Sequence, residues 1–298
     1  MFGVVTEQLV GDAGDDVEID PLHVVEPNKP TATVRSVEIE RALGHFLEAL
    51  DAAAPGLVEG LYVVGSFALG DWQDGVSDID IVAVTAEPAT DGDVGDLQTA
   101  HALLAEVPGL PRIEGPYLAW GDLVVEPATG LHRPWYLGGR LHHDGDCFDI
   151  NPITWYVLDR YGVTVRGPSP ARLGIPTDTT ARIRFVVDEL RTYWRDVATQ
   201  VATACTDDAP SEFDAASLVW CVLGALRAHA TAFTGDVVSK RAAGVHGIEV
   251  LPSTLHGVVR RAMELRASGE RGGTTTEEML DATEVVRWCI AEVEAAAD

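Results

Sequence analysis

Residues 65–81 read GSFALGDWQDGVSDIDI, and the apolar run continues through Val84. Successive strand side chains alternate between faces, so Asp78 and Asp80 share one face. Two carboxylates there repel, and burial raises the cost of ionising both. A cation between them resolves the conflict. Magnesium suits the position, because it takes hard oxygen ligands, often one or two carboxylates together with substrate phosphates. Upstream, Gly65 and Ser66 end the preceding strand. Small residues there let backbone N–H groups and a hydroxyl approach a phosphate, the more so if SFALG opens a helix. Ser77 closes the turn that leads into the aspartates. A phosphate cradle, a turn and a two-carboxylate metal site in this order describe a nucleotide triphosphate held for attack.

Outward from this stretch, SVEIERALGHFLEALDAA (36–53) repeats apolar residues at helical spacing. GLYVVGS and DIDIVAVTA read as two strands, a helix is expected over about 94–106, and LPRIEGPYLAW as a further strand. GDLVVEPATG is read as an extension of the sheet, and 128–148 as a loop. NPITWYVLDRYGVTVRGP reads as a helix, a short strand and a stop. From about residue 177 every periodic segment is helical, with Ser, Thr or Asp near its start. The expected architecture is therefore α+β: an acidic arm (1–30), a mixed-sheet domain (31–170) and an all-α helical bundle (171–298).

Bulk properties narrow the partners. The chain has 298 residues, 47 acidic against 21 basic, for a net charge of −26. Tracking a nucleic-acid backbone needs a basic surface, so nucleic acid is not an expected partner. A cationic substrate suits the field, and so does simple solubility. Nineteen of the basic residues are arginines and only Lys29 and Lys240 are lysines. No stretch reads as a membrane span and the acidic start is unlike a signal peptide, so a cytoplasmic protein without membrane partners is expected. Cys147, Cys205, Cys221 and Cys289 are scattered and are expected to be reduced.

The pattern G-S, G-D and S-D-I-D across 65–80 resembles the signature of the DNA polymerase β-like nucleotidyltransferases. More narrowly, it is similar to the aminoglycoside adenylyltransferases that modify streptomycin and spectinomycin. TAFTGDVVSKRAAGVHGIEVLP (231–252) supports this, resembling a segment of their C-terminal helical domain. The likeness spans roughly residues 36–265. It implies a Mg2+-dependent nucleotidyltransferase fold with ATP in the cleft between the domains. Asp78 and Asp80 would hold metal, joined by a third carboxylate that accepts the proton of the attacking hydroxyl. Glu114 in RIEGPYL fits that strand, with Asp122 and Glu126 as rivals. The nucleotide side would include Gly65, Ser66, Ser77, Arg227 and Lys240, whose compact ammonium suits a phosphate. Trp135 corresponds to a tryptophan that packs on the acceptor.

Three departures bear on this reading. Asn151 stands near a family aspartate on the nucleotide side. Ser217 replaces an acidic residue that binds streptomycin, with Glu212 and Asp214 close by. HHDGDC (142–147) with His132 offers a zinc reading, although adjacent histidines seldom ligate one ion. The reading that follows is transfer of AMP from ATP to a hydroxyl of a small aminoglycoside-type acceptor. Alternatives are modification of a protein hydroxyl, as in toxin–antitoxin systems, and non-catalytic nucleotide binding.

Overall fold

The computed structural model describes residues 36–127, 131–206 and 213–296. The N-terminal arm with Lys29, and Glu212, lie outside these described residues. The fold separates into one unit ending at Asp178 and another beginning at Thr179, each with its own hydrophobic core.

The first unit opens with α1 (Val37–Ala53), where the Ser36 hydroxyl accepts the Ile39 N–H at 3.4 Å as the N-cap. Ile39, Leu43, Phe46 and Leu50 recur every three or four residues and form its buried stripe. Next come β1 (Val58–Val63), a one-turn helix α2 (Gly65–Ala68) and β2 (Ile79–Thr85). Helix α3 (Asp91–Ala105) starts on a capping box between Thr90 and Asp93, and β3 (Ile113–Ala119) follows. Later in the unit lie α5 (Pro152–Tyr161) and β6 (Val163–Arg166), matching the expected helix and strand.

Among the described residues six strands form one sheet, in the order β5 (Arg140–His142), β4 (Trp135–Leu137), β3, β2, β1, β6. Strands β2 and β3 are parallel and every other neighbouring pair is antiparallel, so the sheet is mixed. Ile79, Ile81 and Ala83 of β2 join the core made with α1 and α3. Strand alternation then turns Asp78 and Asp80 to the opposite face.

Two segments differ from the sequence reading. The expected loop at 128–148 contains a hairpin of β4 (Trp135–Leu137) and β5 (Arg140–His142). Its turn is Gly138-Gly139, both at positive φ (58° and 78°), the geometry that twists two short strands together. The described part of GDLVVEPATG, residues 121–127, does not extend the sheet. The chain turns there into α4 (Trp120–Leu123), because the Asp122 carboxylate accepts the Ala119 N–H at 2.8 Å.

The second unit contains α6 (Thr179–Glu189), a π-helical segment at Leu190–Trp194 and α7 (Arg195–Thr206). It continues through α8 (Ala215–Thr234), α9 (Lys240–Val250), α10 (His256–Ser268) and α11 (Thr276–Ala295). Helix α8 packs against α6, α9, α10 and α11. By length and composition it passes as a membrane span, contrary to the sequence reading, yet Leu218, Cys221, Val222, Leu223 and Leu226 are fully buried in the core of this unit.

Candidate active site

The site grows from the junction of β2 and β3. Asp80 and Glu114 are direct register partners on these parallel strands, and their side chains share the face away from α1 and α3. Asp78 lies two residues before Asp80 on the same face. At the end of β1, the Val64 N–H donates to the Asp80 carbonyl at 2.8 Å, which brings the following turn against that strand. Gly65 is at φ 58°, and a Cβ built there would sit 1.8 Å from Asp80 Oδ2. Only glycine fits this close approach and this backbone conformation. Ser66 lies in α2, which SFALG does open, as a single turn. Ser77 closes the turn between α2 and β2, its hydroxyl accepting the Gln73 N–H at 3.2 Å.

Glu114 is well enclosed, with its side chain 13 % exposed. The Gly138 N–H of the Gly-Gly turn donates to Glu114 Oε1 at 3.0 Å. Burial lifts the Glu114 carboxyl above its ordinary range. The Gly138 N–H pulls it back, the Asp78 charge raises it, Arg112 lowers it and Asp80 raises it again. Asp122 and Glu126, the rival carboxylates, are elsewhere. Asp122 is held by Arg133 with both contacts at 2.7 Å, and Glu126 is exposed beyond α4.

Two residues of this face escaped the sequence reading. Arg112, just before β3, donates from Nε to Asp78 Oδ1 at 3.0 Å and from Nη2 to Oδ2 at 3.1 Å. Its Nε also stands 3.6 Å from Glu114 Oε1. Asp149 is half-buried, and burial with the charges of Asp80 and Glu114 pushes its carboxyl up to about 7. Four carboxylates and one guanidinium thus meet here. The sequence signal for Asp149 was its place two residues before Asn151, which starts a helix beside a Pro. Arg112 had none beyond adjacency to β3.

The donor set fits a hard divalent cation: three carboxylates on one face, one of them pressed against a glycine cradle and one lifted in pKa first by burial and then by the charges of the other two. Among the described residues, no three Asp, Glu, His or Cys side chains already stand at ligand spacing. This applies also to the HHDGDC stretch. There His132 pairs with Asp146 at 3.7 Å and His143 with Asp144 at 3.3 Å, all exposed, and His142 stacks on Trp135.

The other expected site residues fall as follows. Trp135 is buried in β4, and His142 stacks on one face of its indole with ring centroids 4.9 Å apart. Asn151 is the N-cap of α5, its Oδ1 accepting from the Ile153 and Thr154 N–H groups at 2.8 and 3.0 Å. Asp214 caps α8, accepting from the N–H and hydroxyl of Ser217 at 2.7 and 2.6 Å. Arg227 and Lys240 belong to the helical unit. Arg227 Nε donates to the Val238 carbonyl at 3.1 Å and so fixes the loop two residues ahead of Lys240, the first residue of α9.

Comparison with known proteins follows the same division. Residues 43–109 match the family model of the nucleotidyltransferase domain, and residues 191–292 that of the aminoglycoside adenylyltransferase C-terminal domain. No curated protein matches the chain. Among solved structures, it resembles spectinomycin adenyltransferase AAD(9) from Enterococcus faecialis, determined with ATP and spectinomycin. That match has a TM-score of 0.62 at 18% identity, and covers 86% of this chain and 99% of the other. At this identity the likeness establishes the fold. The two family matches carry the rest: the chain is a nucleotidyltransferase of the aminoglycoside adenylyltransferase type, its first part belonging to the nucleotidyltransferase domain family and its second to the aminoglycoside adenylyltransferase C-terminal domain family.

Proposed function

We propose that this protein transfers the adenylyl group of ATP to a hydroxyl of a small aminoglycoside-type acceptor, in a reaction that uses Mg2+. The observation that carries the reading is the face shared by Asp78, Asp80 and Glu114, with Asp80 and Glu114 paired across β2 and β3 against the Gly65 cradle. Asp78 and Asp80 would hold the metal with Glu114 beside them. When bound there, Mg2+ would supply neutralisation of the charge that develops during phosphoryl transfer.

The protein's own groups then have distinct tasks. Glu114 accepts the proton of the acceptor hydroxyl as its oxygen attacks the α-phosphorus. The bond to the β-phosphate oxygen breaks and pyrophosphate leaves. The enclosed setting of Glu114 makes it a stronger base than an ordinary glutamate. The Gly138 N–H holds the carboxylate in place. Gly65 and Ser66 receive phosphate oxygens, with Ser77 holding the turn that presents them. Lys240, which opens α9 just after the loop fixed by Arg227, would supply a point charge to the phosphates.

The acceptor class rests on the C-terminal family match and on the acidic surface, which favours a cationic substrate. Spectinomycin is the first acceptor to try, because the solved structural neighbour holds it with ATP. The test is incubation with Mg2+, ATP and a panel containing spectinomycin, streptomycin and other aminoglycosides, read by mass. An acceptor heavier by one adenylyl group, with matching pyrophosphate release, is the expected result. Pyrophosphate release coupled to a modified protein would replace the small acceptor by a protein hydroxyl.

A further inference from the structure

We propose that Arg112 is a built-in counter-ion for Asp78, exchanged for the divalent cation when the site loads. The proposal rests on the metal-dependent reading above and concerns how that site is kept before loading. The backbone of Arg112 is fixed at the β2–β3 edge, where its carbonyl accepts the Ile79 N–H at 2.8 Å. From there the guanidinium meets Asp78 as a two-pronged fork at 3.0 and 3.1 Å and reaches Glu114 at 3.6 Å. One cation thus touches two of the three carboxylates expected to surround the metal.

Three arguments make this an exchange. A guanidinium keeps its charge at any working pH, so it leaves Asp78 only by moving. Both Asp78 oxygens accept from the fork, so a metal would meet a carboxylate whose charge is already engaged by a cation. The pair is also open to water, with Arg112 41 % and Asp78 32 % exposed, so it is screened and cheap to open. A permanent structural bridge is better served by burial, as in the Arg133–Asp122 pair, at 17 % and 11 %. Without Arg112, Asp78, Asp80, Glu114 and Asp149 would face one another with their repulsion uncompensated by this guanidinium.

The test is Mn2+ binding to the full-length protein without nucleotide, by electron paramagnetic resonance of free Mn2+. The proteins are wild type, Arg112→Gln, Arg112→Lys, Asp78→Asn and the Arg112→Gln/Asp78→Asn double variant. Arg112→Gln should bind Mn2+ roughly 2–5-fold tighter than wild type, the equivalent of one exposed pair of ~0.5–1 kcal/mol. Arg112→Lys, which keeps the charge and loses the fork, should lie between them. The gain should vanish in the Asp78→Asn background, because competition for Asp78 is then gone. Metal-free Arg112→Gln should melt below wild type and recover with Mn2+. Equal affinity in Arg112→Gln and wild type would overturn the proposal. So would an equal gain in both backgrounds, which marks a general field effect. Adding ATP separates this from the underlying reading. Wild type that binds Mn2+ with ATP while Arg112→Gln changes nothing defeats the exchange alone. No Mn2+ bound by any protein, even with ATP, defeats the metal site and the exchange together.

Discussion

Asp149 sits among carboxylates and shows how one residue reports on the whole face. Burial and the charges of Asp80 and Glu114 push its pKa up to about 7, against an ordinary aspartate near 3.8. Between those values the folded protein binds more protons than the unfolded chain, so this group makes stability fall as pH rises. The contribution is favourable below about pH 4 and is lost through pH 7. Asp149→Asn, which cannot ionise, should therefore melt higher than wild type at pH 8 without metal, with the difference shrinking toward pH 5. Thermal scans of both proteins across that range check it, and parallel pH profiles would contradict it. Asp78 and Asp80 were legible in the sequence because period-two alternation is a local property. Arg112 and Asp149 were not, because what they touch depends on strand register and on where a distant loop returns.

At the scale of elements, long periodic segments announced themselves and short ones did not. Helices α1 and α8 carry buried stripes over four or more turns. The β4–β5 hairpin has three residues a side, too few for alternation to show, so its only signal was the Gly-Gly turn. The Leu190–Trp194 segment reads as plain helix in the sequence and is π-helical in the structure, with Leu190 and Trp194 both buried in the core. The Trp194 ring lies over Gly224 of α8, where an added Cβ would be 2.6 Å from it. Alanine is the better helix former by about 1 kcal/mol, yet Gly224→Ala should destabilise this unit. Overpacking commonly costs roughly 1–3 kcal/mol and a rigid indole cannot yield like a flexible chain. Denaturant unfolding followed by tryptophan fluorescence measures it; a stability gain would show that Trp194 moves aside freely.

For the whole molecule, the question is whether the helical unit takes part in nucleotide binding or only completes the fold. The texture of the sequence changes near residue 177, where mixed periods give way to helical ones; the border was expected at 170/171, and the described units divide at 178/179. What period cannot express is which residue of one part serves the other. Lys240 is one of two lysines in the chain, and Arg227 fixes the loop ahead of it. A charge-assisted phosphate contact is worth roughly 1.5–3 kcal/mol, so Lys240→Ala should weaken ATP binding about 10–150-fold. Lys240→Arg should recover part of it. Calorimetric titration with ATP and Mg2+, with Lys29→Ala as control, decides the matter; unchanged affinity would take Lys240 out of the nucleotide site.

The central claim is that Glu114, opposite Asp80 on the paired strands, takes the proton of the attacking hydroxyl. The most direct measurement is the single-turnover rate of adenylyl transfer by Glu114→Gln, at saturating ATP, Mg2+ and acceptor, against pH. The account predicts a loss of roughly 10²–10⁴-fold with ATP still bound. It also predicts an acid limb in the wild-type pH profile that the variant lacks. A Glu114→Gln enzyme that turns over at close to the wild-type rate, with the same pH profile, would contradict it.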